Sequence, residues 1–197
     1  RSFVKKFWIQ CLNKFLLSNN LDILYKKKSE KNNYIWTENN PVIFRGGSNS
    51  NDANHISGPS RNGDGLYFAI RNAFEQADKT DTKIDYISAH GTATPYNDEM
   101  ESKAINLAKL NHVPVNSLKG YWGHTLGAAG IIESIAGIHS IKQNCLIQSI
   151  GYSEHGVSEP LNIIQNFEEK EINNFLKTAS GFGGSNAAVY FSELNAD

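Results

Sequence analysis

The chain has 197 residues, a formal net charge of −1 and a hydrophobic fraction of 40%. This length suffices for one sizeable core or for a large half of a bigger domain. The near-zero charge disfavours a broad nucleic-acid surface, and there is no apolar run of membrane-spanning length and no signal-peptide pattern. We therefore expect a cytoplasmic domain without a membrane span. Since the chain starts at Arg1 rather than at a methionine, we also expect a fragment.

Residues 1–33 differ in character from the rest of the chain. Apolar side chains recur at helical spacing from Phe3 to Leu16, which predicts an amphipathic helix, and residues 26–33 predict a polar linker. Packing of this helix on protein is the favoured interpretation, and a membrane-surface helix is the alternative. We assign residues 1–33 to an N-terminal segment and residues 34–197 to the main domain.

From residue 34 onward, strands alternate with helices. We predict strands at 41–44, 84–89, 113–115, 175–180 and 187–191, and a loop at 46–52. Helices are predicted from near residue 64 to 77, from near residue 97 to 108 and over 126–141, the last one nearly buried. The glycine-rich residues 181–186 join the last two strands. This order predicts an α/β fold with a mixed five-stranded sheet and helices on both faces.

Two histidines stand at equivalent places, each directly after a strand-like run and just before a helix. His90 directly follows the predicted strand 84–89, and His124 precedes the predicted helix 126–141. Because ligands of open α/β sheets bind beyond the carboxyl ends of the strands, we expect both histidines to face one crevice. A helix N-terminus opposes protonation of His124, and a neutral imidazole can donate an N–H to an enolate or a thioester oxyanion. Two structural, hydrogen-bonded histidines are the alternative interpretation.

Other polar residues allow two interpretations each. Lys119 and Glu133 form an ion pair in one interpretation, whereas the sequence slightly favours exposure of both. The hydroxyls of Thr92 and Thr94 bind a carbonyl-bearing or amide-bearing ligand or simply form a turn. Phe182, the one large side chain of its glycine-rich loop, gates a pocket or lies in a plain turn. The histidines lack metal-ligand spacing, so no metal site is predicted.

Four motifs together resemble those of the β-ketoacyl-acyl-carrier-protein synthases, or ketosynthases. They are His90-Gly91-Thr92-Ala93-Thr94 with Asn97-Asp98, Ser117-Leu118-Lys119 with Gly123-His124 and Gly127-Ala128-Ala129-Gly130, Gly181-Phe182-Gly183-Gly184-Ser185-Asn186, and Asn51-Asp52-Ala53-Asn54-His55 with Pro59 and Gly63. Their order and spacing cover residues 42–194. The resemblance implies the C-terminal half of a thiolase-like αβαβα sandwich.

The resemblance also implies a decarboxylative Claisen condensation, in which malonyl-acyl carrier protein extends an acyl chain held on a cysteine. It implies that His90 and His124 are catalytic residues that bind the malonyl thioester and stabilise its enolate. Lys119 is then the active-site lysine, and Glu133 supports it. No cofactor is implied, because the substrates are carried on the phosphopantetheine of the carrier protein.

Further roles follow from the same resemblance. Thr92, Thr94 and Gly183 are expected to contact the phosphopantetheine arm, and Phe182 is expected to gate the acyl pocket. The nucleophilic cysteine of the family lies in its N-terminal half. Cys11 and Cys145 both lack a setting that lowers a thiol pKa.

We therefore expect one half of an acyltransferase that is inactive alone. Its expected partners are the missing N-terminal half, the acyl carrier protein and a second subunit in a homodimer or heterodimer. A non-catalytic partner similar to a chain length factor, or a thiolase-fold scaffold, is the alternative. The sequence leaves open whether the pathway makes fatty acids, a polyene pigment or a polyketide.

Overall fold

The computed structural model of the chain describes residues 23–25, 41–77 and 83–194. The strands in these ranges are β1 (Ile23–Tyr25), β2 (Val42–Asn51), β3 (Tyr86–Ser88), β4 (Val115–Asn116), β5 (Cys145–Leu146), β6 (Glu168–Glu169), β7 (Asn174–Gly181) and β8 (Ser185–Glu193). The α-helices are α1 (Asp64–Gln76), α2 (Pro95–Leu107), α3 (Lys119–Trp122) and α4 (Ala129–Gln143), and short 3₁₀ turns span Leu126–Ala128 and Phe182–Gly184.

Six strands form one mixed sheet in the order β1-β2-β8-β7-β3-β4. The neighbours β2, β8 and β7 are antiparallel, whereas β3 runs parallel to both β7 and β4. The short strand β1 pairs in parallel with β2 at one edge. The predicted five-stranded mixed sheet is thus confirmed for residues 42–193, and β1 extends it by one strand.

Helices cover both faces of this sheet, as predicted. Successive side chains of a strand point to opposite faces, so Leu176 of β7 packs in the core beneath α1 and α2, whereas Phe175 packs in the core beneath α4. Helix α4 lies very close to the sheet: a Cβ atom at Gly137 would lie 2.4 Å from the Phe175 ring. The two cores fix all three long helices on the sheet.

The prediction of a loop at residues 46–52 is wrong for residues 46–51. Strand β2 runs from Val42 through Asn51, with a bulge between Phe44 and Gly46. Its glycine-rich and asparagine-rich second half pairs residue by residue with β8, from Tyr190 back to Ser185. The ladder of main-chain hydrogen bonds therefore overrides the weak strand propensity of glycine and asparagine.

Two helix starts also differ from the prediction. Helix α2 begins at Pro95, just after Thr94, instead of near residue 97, since proline is well suited to a first helical position. Helix α4 begins at Ala129, and the 3₁₀ turn before it is exposed, with Leu126 79% accessible. The expectation of a nearly buried helix from residue 126 is therefore wrong, because no described part of the chain covers this end.

Most of the N-terminal segment lies outside the described residues. This holds for the predicted amphipathic helix, for Cys11 and for the predicted linker at 26–33, while residues 23–25 form β1. None of the helices in the described ranges is long and apolar enough to cross a membrane.

Candidate active site

The carboxyl ends of the parallel strands bring the site together. His90 follows β3 by two residues, and Lys119 follows β4 by three residues. Since β3 and β4 are parallel neighbours, with Ser88 opposite Asn116, both segments emerge at the same edge of the sheet. This is the edge at which ligands of such sheets bind.

The loop of His90 is anchored on a buried carboxylate of α2. Glu101 accepts hydrogen bonds from the main-chain N–H groups of His90, at 2.7 Å, and Gly91, at 2.8 Å. The Thr178 hydroxyl of β7 donates a third hydrogen bond to Glu101, at 2.6 Å. Burial opposes ionisation of Glu101, but the neighbouring His90 and these donors outweigh it and hold the pKa of Glu101 below its ordinary value. The His90 loop is therefore rigidly held.

Lys119 lies beside His90 and is paired with Glu133. Its Nζ atom lies 2.6 Å from Oε1 of Glu133 and 3.3 Å from Nδ1 of His90, and it also donates to the main-chain carbonyl of His90. The side chain of Lys119 is only 8% exposed, and that of Glu133 is fully buried. The interpretation of both as exposed residues is wrong, because α4 and the His90 loop enclose the pair.

The surroundings of His90 favour its neutral form. Burial lowers the pKa of His90 to about 4, with the charges of Lys119 and Lys177 acting in the same direction and that of Glu101 opposing them. The Lys119 ammonium can only donate, so Nδ1 of His90 is the acceptor and the ring proton is on Nε2. His90 is thus a neutral N–H donor at neutral pH.

His124 is placed differently from the prediction but meets His90. Helix α3 and Gly123 separate it from β4, so His124 does not directly follow a strand. Its Nδ1 atom accepts a hydrogen bond of 3.0 Å from the main-chain N–H of Leu126, which again leaves the ring proton on Nε2. The rings of His90 and His124 are 5.0 Å apart and nearly perpendicular. The structure therefore brings two imidazole N–H donors together.

The two threonines predicted to bind phosphopantetheine lie at the exposed rim of the site. Their hydroxyl oxygens, Oγ1 of Thr92 and Oγ1 of Thr94, are 2.7 Å apart, so one donates to the other. The main-chain N–H of Thr92 donates to Asp98, at 3.1 Å. Both hydroxyls are accessible to a ligand.

The glycine-rich loop presents Phe182 to solvent, with the side chain 87% exposed. Gly183 adopts a positive φ of 76°, which glycine tolerates best, and its N–H donates to the carbonyl of Ile56, at 2.6 Å. The side-chain amide of Asn51 donates to the carbonyl of Gly183, and the main-chain N–H of Asp52 donates to that of Gly184. The loop is tied to residues 51–56 while its aromatic side chain stays outside.

The sequence analysis missed three residues that form the buried side of the site: Glu101, Thr178 and Lys177. Lys177 lies in the middle of a strand, and a lysine inside an otherwise buried apolar strand is a signal of a buried ion pair. Its ammonium lies 2.8 Å from Oε2 of Glu133, so that Glu133 is placed between two lysines.

Cys145 is the one cysteine in the ranges that the structure describes. It begins β5, beyond the end of α4 and roughly 15 Å along the helix axis from Glu133. Burial raises the pKa of the Cys145 thiol, and the charge of Glu169 adds to this. Cys145 therefore lacks the features of a nucleophile.

Comparison with known proteins identifies the class. Residues 42–153, more than half of the chain, match the family described as beta-ketoacyl synthase, C-terminal domain, and the chain belongs to this family. It is 35% identical over 144 residues to a 3-oxoacyl-[acyl-carrier-protein] synthase 2 of Rhizobium meliloti, covering 71% of this chain and 34% of the relative. It is 34% identical over 149 residues to the protein of the same name from Staphylococcus aureus, covering 74% and 36%.

Solved structures agree with this assignment. A structure described as the ishigamide ketosynthase/chain length factor is similar with a TM-score of 0.71 and 32% identity, over 76% of this chain and 37% of that one. A ketosynthase in complex with its chain length factor from Xenorhabdus doucetiae is similar with a TM-score of 0.72 and 31% identity, over 79% and 40%. The fold is therefore that of the ketosynthases, which are thiolase-like. The chain spans little more than a third of the length of the two bacterial synthases.

Proposed function

We propose that this chain supplies the malonyl-binding and decarboxylating part of a β-ketoacyl-acyl-carrier-protein synthase. The observation that carries the proposal is the pair of imidazole rings of His90 and His124, whose centroids are 5.0 Å apart and whose Nδ1 atoms each face an N–H donor, which leaves Nε2 of each ring to donate. Two such donors suit one oxygen that gains negative charge during the reaction. The buried Lys119 and Glu133 support this site from behind.

The reaction begins with the malonyl thioester bound to the carrier protein. His90 and His124 donate their Nε2–H groups to the thioester carbonyl oxygen, and the bond between the malonyl carboxylate and the methylene carbon breaks. Carbon dioxide leaves, and the electron pair of that bond forms the enolate that the two donors stabilise. The enolate carbon then attacks the acyl group on a cysteine, the acyl–sulfur bond breaks, and the thiolate is regenerated.

The nucleophilic cysteine is supplied by a segment other than residues 41–77 and 83–194, since Cys145 has a raised thiol pKa. We call the combination of this chain with that cysteine-bearing segment the assembled enzyme. The chain alone is expected to be inactive. Large apolar side chains near His124 are exposed here and would be covered by such a segment; they are Tyr121, Trp122, Leu126 and Ile150.

Thr92, Thr94 and Gly183 are proposed to contact the phosphopantetheine arm, because the two hydroxyls lie in the loop that follows His90 and Gly183 is exposed in the glycine-rich loop. Phe182 is proposed to control access of the acyl chain, since it is the one large side chain of the glycine-rich loop and is 87% exposed. The proposed partners are an acyl carrier protein and a second ketosynthase-like subunit. No dissociable cofactor is needed, because every step uses the substrate and the side chains named above.

The test measures the two half-reactions of the assembled enzyme separately. Replacing His124 with alanine should lower the release of carbon dioxide from malonyl-acyl carrier protein at least ~100-fold, because one of two oxyanion donors is lost. Acylation of the cysteine should stay within about twofold, since His124 acts on the malonyl thioester. The control is His139→Ala, which removes an exposed imidazole of α4 and should change neither rate.

An equal fall of both half-reactions in His124→Ala would contradict the enolate role. A different result would favour the non-catalytic alternative. If the wild-type assembled enzyme released no carbon dioxide but was required for activity of a second ketosynthase subunit, this chain would act as a chain length factor does.

A further inference from the structure

Lys177 is a second lysine of the site, and it is almost completely buried. Its side chain is 2% exposed, and its ammonium contacts four oxygens: Oε2 of Glu133 at 2.8 Å, the main-chain carbonyls of Ser88 and Ala89 at 3.0 Å each, and that of Thr178. Burial lowers the pKa of Lys177, and the charge of Glu133 opposes this. Because every one of these four contacts is an acceptor, the geometry favours the charged ammonium with its three N–H groups.

The contacts of Lys177 fix the strand end that leads to His90. Ser88 of β3 lies opposite Lys177 of β7 in the parallel ladder, and the next two residues of the chain are Ala89 and His90. The ammonium therefore ties together the last two carbonyl groups before the histidine. Together with Glu101, which binds the N–H groups of His90 and Gly91, it holds this segment from two sides.

Lys177 also shares the carboxylate of Glu133 with Lys119. Lys119 takes Oε1 at 2.6 Å, and Lys177 approaches Oε2 at 2.8 Å. Among the described residues, Oε2 has no hydrogen bond of good geometry, so the charge of Lys177 is its compensation. A single lysine would leave a neutral pair here. Two lysines and one carboxylate give the Lys119–Glu133–Lys177 triad one excess positive charge, which opposes the negative charge of Glu101 beside His90.

We propose that Lys177 is a positioning residue of the condensation site: it fixes the end of β3 that carries His90 and gives the Lys119–Glu133–Lys177 triad behind the His90 ring its excess positive charge. This role rests on the proposed function. The excess charge disfavours an imidazolium at His90 and keeps its ring available as a neutral donor. Lys177 acts through His90, Glu133 and Lys119 and does not itself touch the substrate.

A purely structural lysine would stabilise the fold without affecting the titration of His90, so that titration distinguishes the two roles. The charged and titratable groups around His90 are Glu101 from α2, Lys119 from α3, His124 from the following loop, Glu133 from α4 and Lys177 from β7. Four of these groups remain in a Lys177 variant. A change in the His90 titration can then be assigned to the loss of one positive charge.

The first experiment follows deuterium exchange at the imidazole C2–H of each histidine by peptide mass spectrometry, as a function of pH. In Lys177→Met and Lys177→Gln, the titration midpoint of His90 should move upward by roughly half a pH unit or more, because one nearby positive charge is lost. In Lys177→Arg, which keeps the charge, it should stay close to that of the wild type. Ile70→Ala, a fully buried change on α1, is the control for a general loss of stability and should leave the midpoint unchanged.

Two outcomes of this experiment would overturn the proposal. One is a wild-type His90 midpoint in folded Lys177→Met and Lys177→Gln. The other is a shift in Lys177→Arg as large as that in Lys177→Met, which would mean that charge is not responsible. Should the methionine variant fail to fold, the glutamine and arginine variants still provide the comparison.

The second experiment measures both half-reactions of the assembled enzyme. Lys177→Met should lower the release of carbon dioxide at least about tenfold at both pH 6 and pH 8, because the end of β3 that carries His90 loses the ammonium that holds it, with acylation of the cysteine largely retained. If Lys177→Met had wild-type rates at both pH values, the proposed role of Lys177 would be wrong, and the proposed function of the chain would be unaffected. An inactive wild-type enzyme in which the His90 midpoint still depends on Lys177 would instead refute the proposed function and leave the link between Lys177 and His90 intact.

Discussion

The loop that carries His90 and the loop that carries His124 meet at the site, but the protein holds them by different means. His90 is 4% exposed, and Glu101, Lys119 and the buried end of β3 secure its loop. His124 is exposed, and its ring is held by the N–H of Leu126 within its own loop. The His90 loop is therefore part of the core of this chain. The His124 loop is linked to that core through Lys119 and is otherwise exposed in the described part of the chain.

The difference separates two tasks of the site. The buried loop sets the protonation state of a histidine by low dielectric and by fixed charges, which requires rigid surroundings. We expect the exposed loop to move more readily when another segment binds, because the hydrogen bond that holds the His124 ring lies within the loop itself. Lys119 joins the two, since it begins α3 on the second loop and contacts the His90 ring on the first.

The largest effect is expected for Glu133→Gln. This change removes the carboxylate between Lys119 and Lys177 and leaves two buried ammonium groups without a counter-ion. We expect the free energy of unfolding to fall by about 3–5 kcal/mol, as measured by urea denaturation. Glu75→Gln on α1 is the control: its exposed pair with Arg71 should contribute less than about 0.5 kcal/mol. Similar losses in the two variants would mean that the buried group of Lys119, Glu133 and Lys177 does not stabilise the fold.

Glu101→Gln should have the next largest effect and should act on the first loop. The amide can accept at only one of its two ends, so one of the N–H groups of His90 and Gly91 loses its acceptor. We expect a loss of about 2–3 kcal/mol in the free energy of unfolding. Glu99→Gln on the same helix is matched in chemistry, but Glu99 binds Ser158 and Lys103 near the surface, so less than about 1 kcal/mol is expected. If Glu99→Gln lowered the free energy of unfolding as much as Glu101→Gln, Glu101 would not hold the His90 loop through its hydrogen bonds.

These buried carboxylates also mark where sequence analysis succeeded and where it could not succeed. The alternation of apolar runs predicted the sheet, both helical faces and the edge at which His90 and His124 meet, because periodicity reports which face of an element is buried. It did not predict the second half of β2, since Gly46 to Asn51 form a strand only through pairing with β8. Such pairing depends on residues far away in the chain.

The buried charge network was hidden for a related reason. Glu101 lies on a helix with several other acidic residues, and only its position beneath His90 distinguishes it from Glu99. Lys177 was recognisable as a lysine in an apolar strand, but its partner Glu133 lies 44 positions earlier in the numbering and on another element. Leu126 shows an error in the other direction. The apolar pattern predicts that it is buried, but it is 79% exposed because nothing among the described residues packs on it.

Measuring the free energy of unfolding as a function of pH tests the burial of His90, with a smaller expected effect in the pH range compared. The pKa of His90 in the folded protein is about 4 because of burial, below the ordinary value near 6.5, so the unfolded chain binds a proton that the native ring does not. His90 therefore leaves stability unchanged above pH 6.5 and lowers it progressively as the pH falls from 6.5 to 4, by roughly 3 kcal/mol in total. His90→Gln should flatten this slope.

The comparison is made between pH 6.5 and 5, with stability at pH 8 as the reference for each variant. Glu101 contributes little to the slope in this range. Its pKa in the folded protein is lowered, so the protein loses the stability that Glu101 provides only when the pH falls below the ordinary pKa of a glutamate, near 4.5. Equal slopes for wild type and His90→Gln would contradict a neutral, buried His90.

The smallest effect on stability is expected for Phe182→Ala, which tests the exposed side of the site. The ring is 87% exposed, so its removal should change the free energy of unfolding by less than about 0.5 kcal/mol. Ile56→Ala is the control, because Ile56 is 79% exposed and its carbonyl binds the loop at Gly183. Only Phe182→Ala should alter the order in which the assembled enzyme accepts acyl chains of different length, measured as the rate of acylation of its cysteine. If both variants accepted acyl chains in the same order of length as the wild type, the ring of Phe182 would neither limit nor select the acyl chain. Of the described exposed side chains at the site, only His124 would then have a proposed role in the reaction itself.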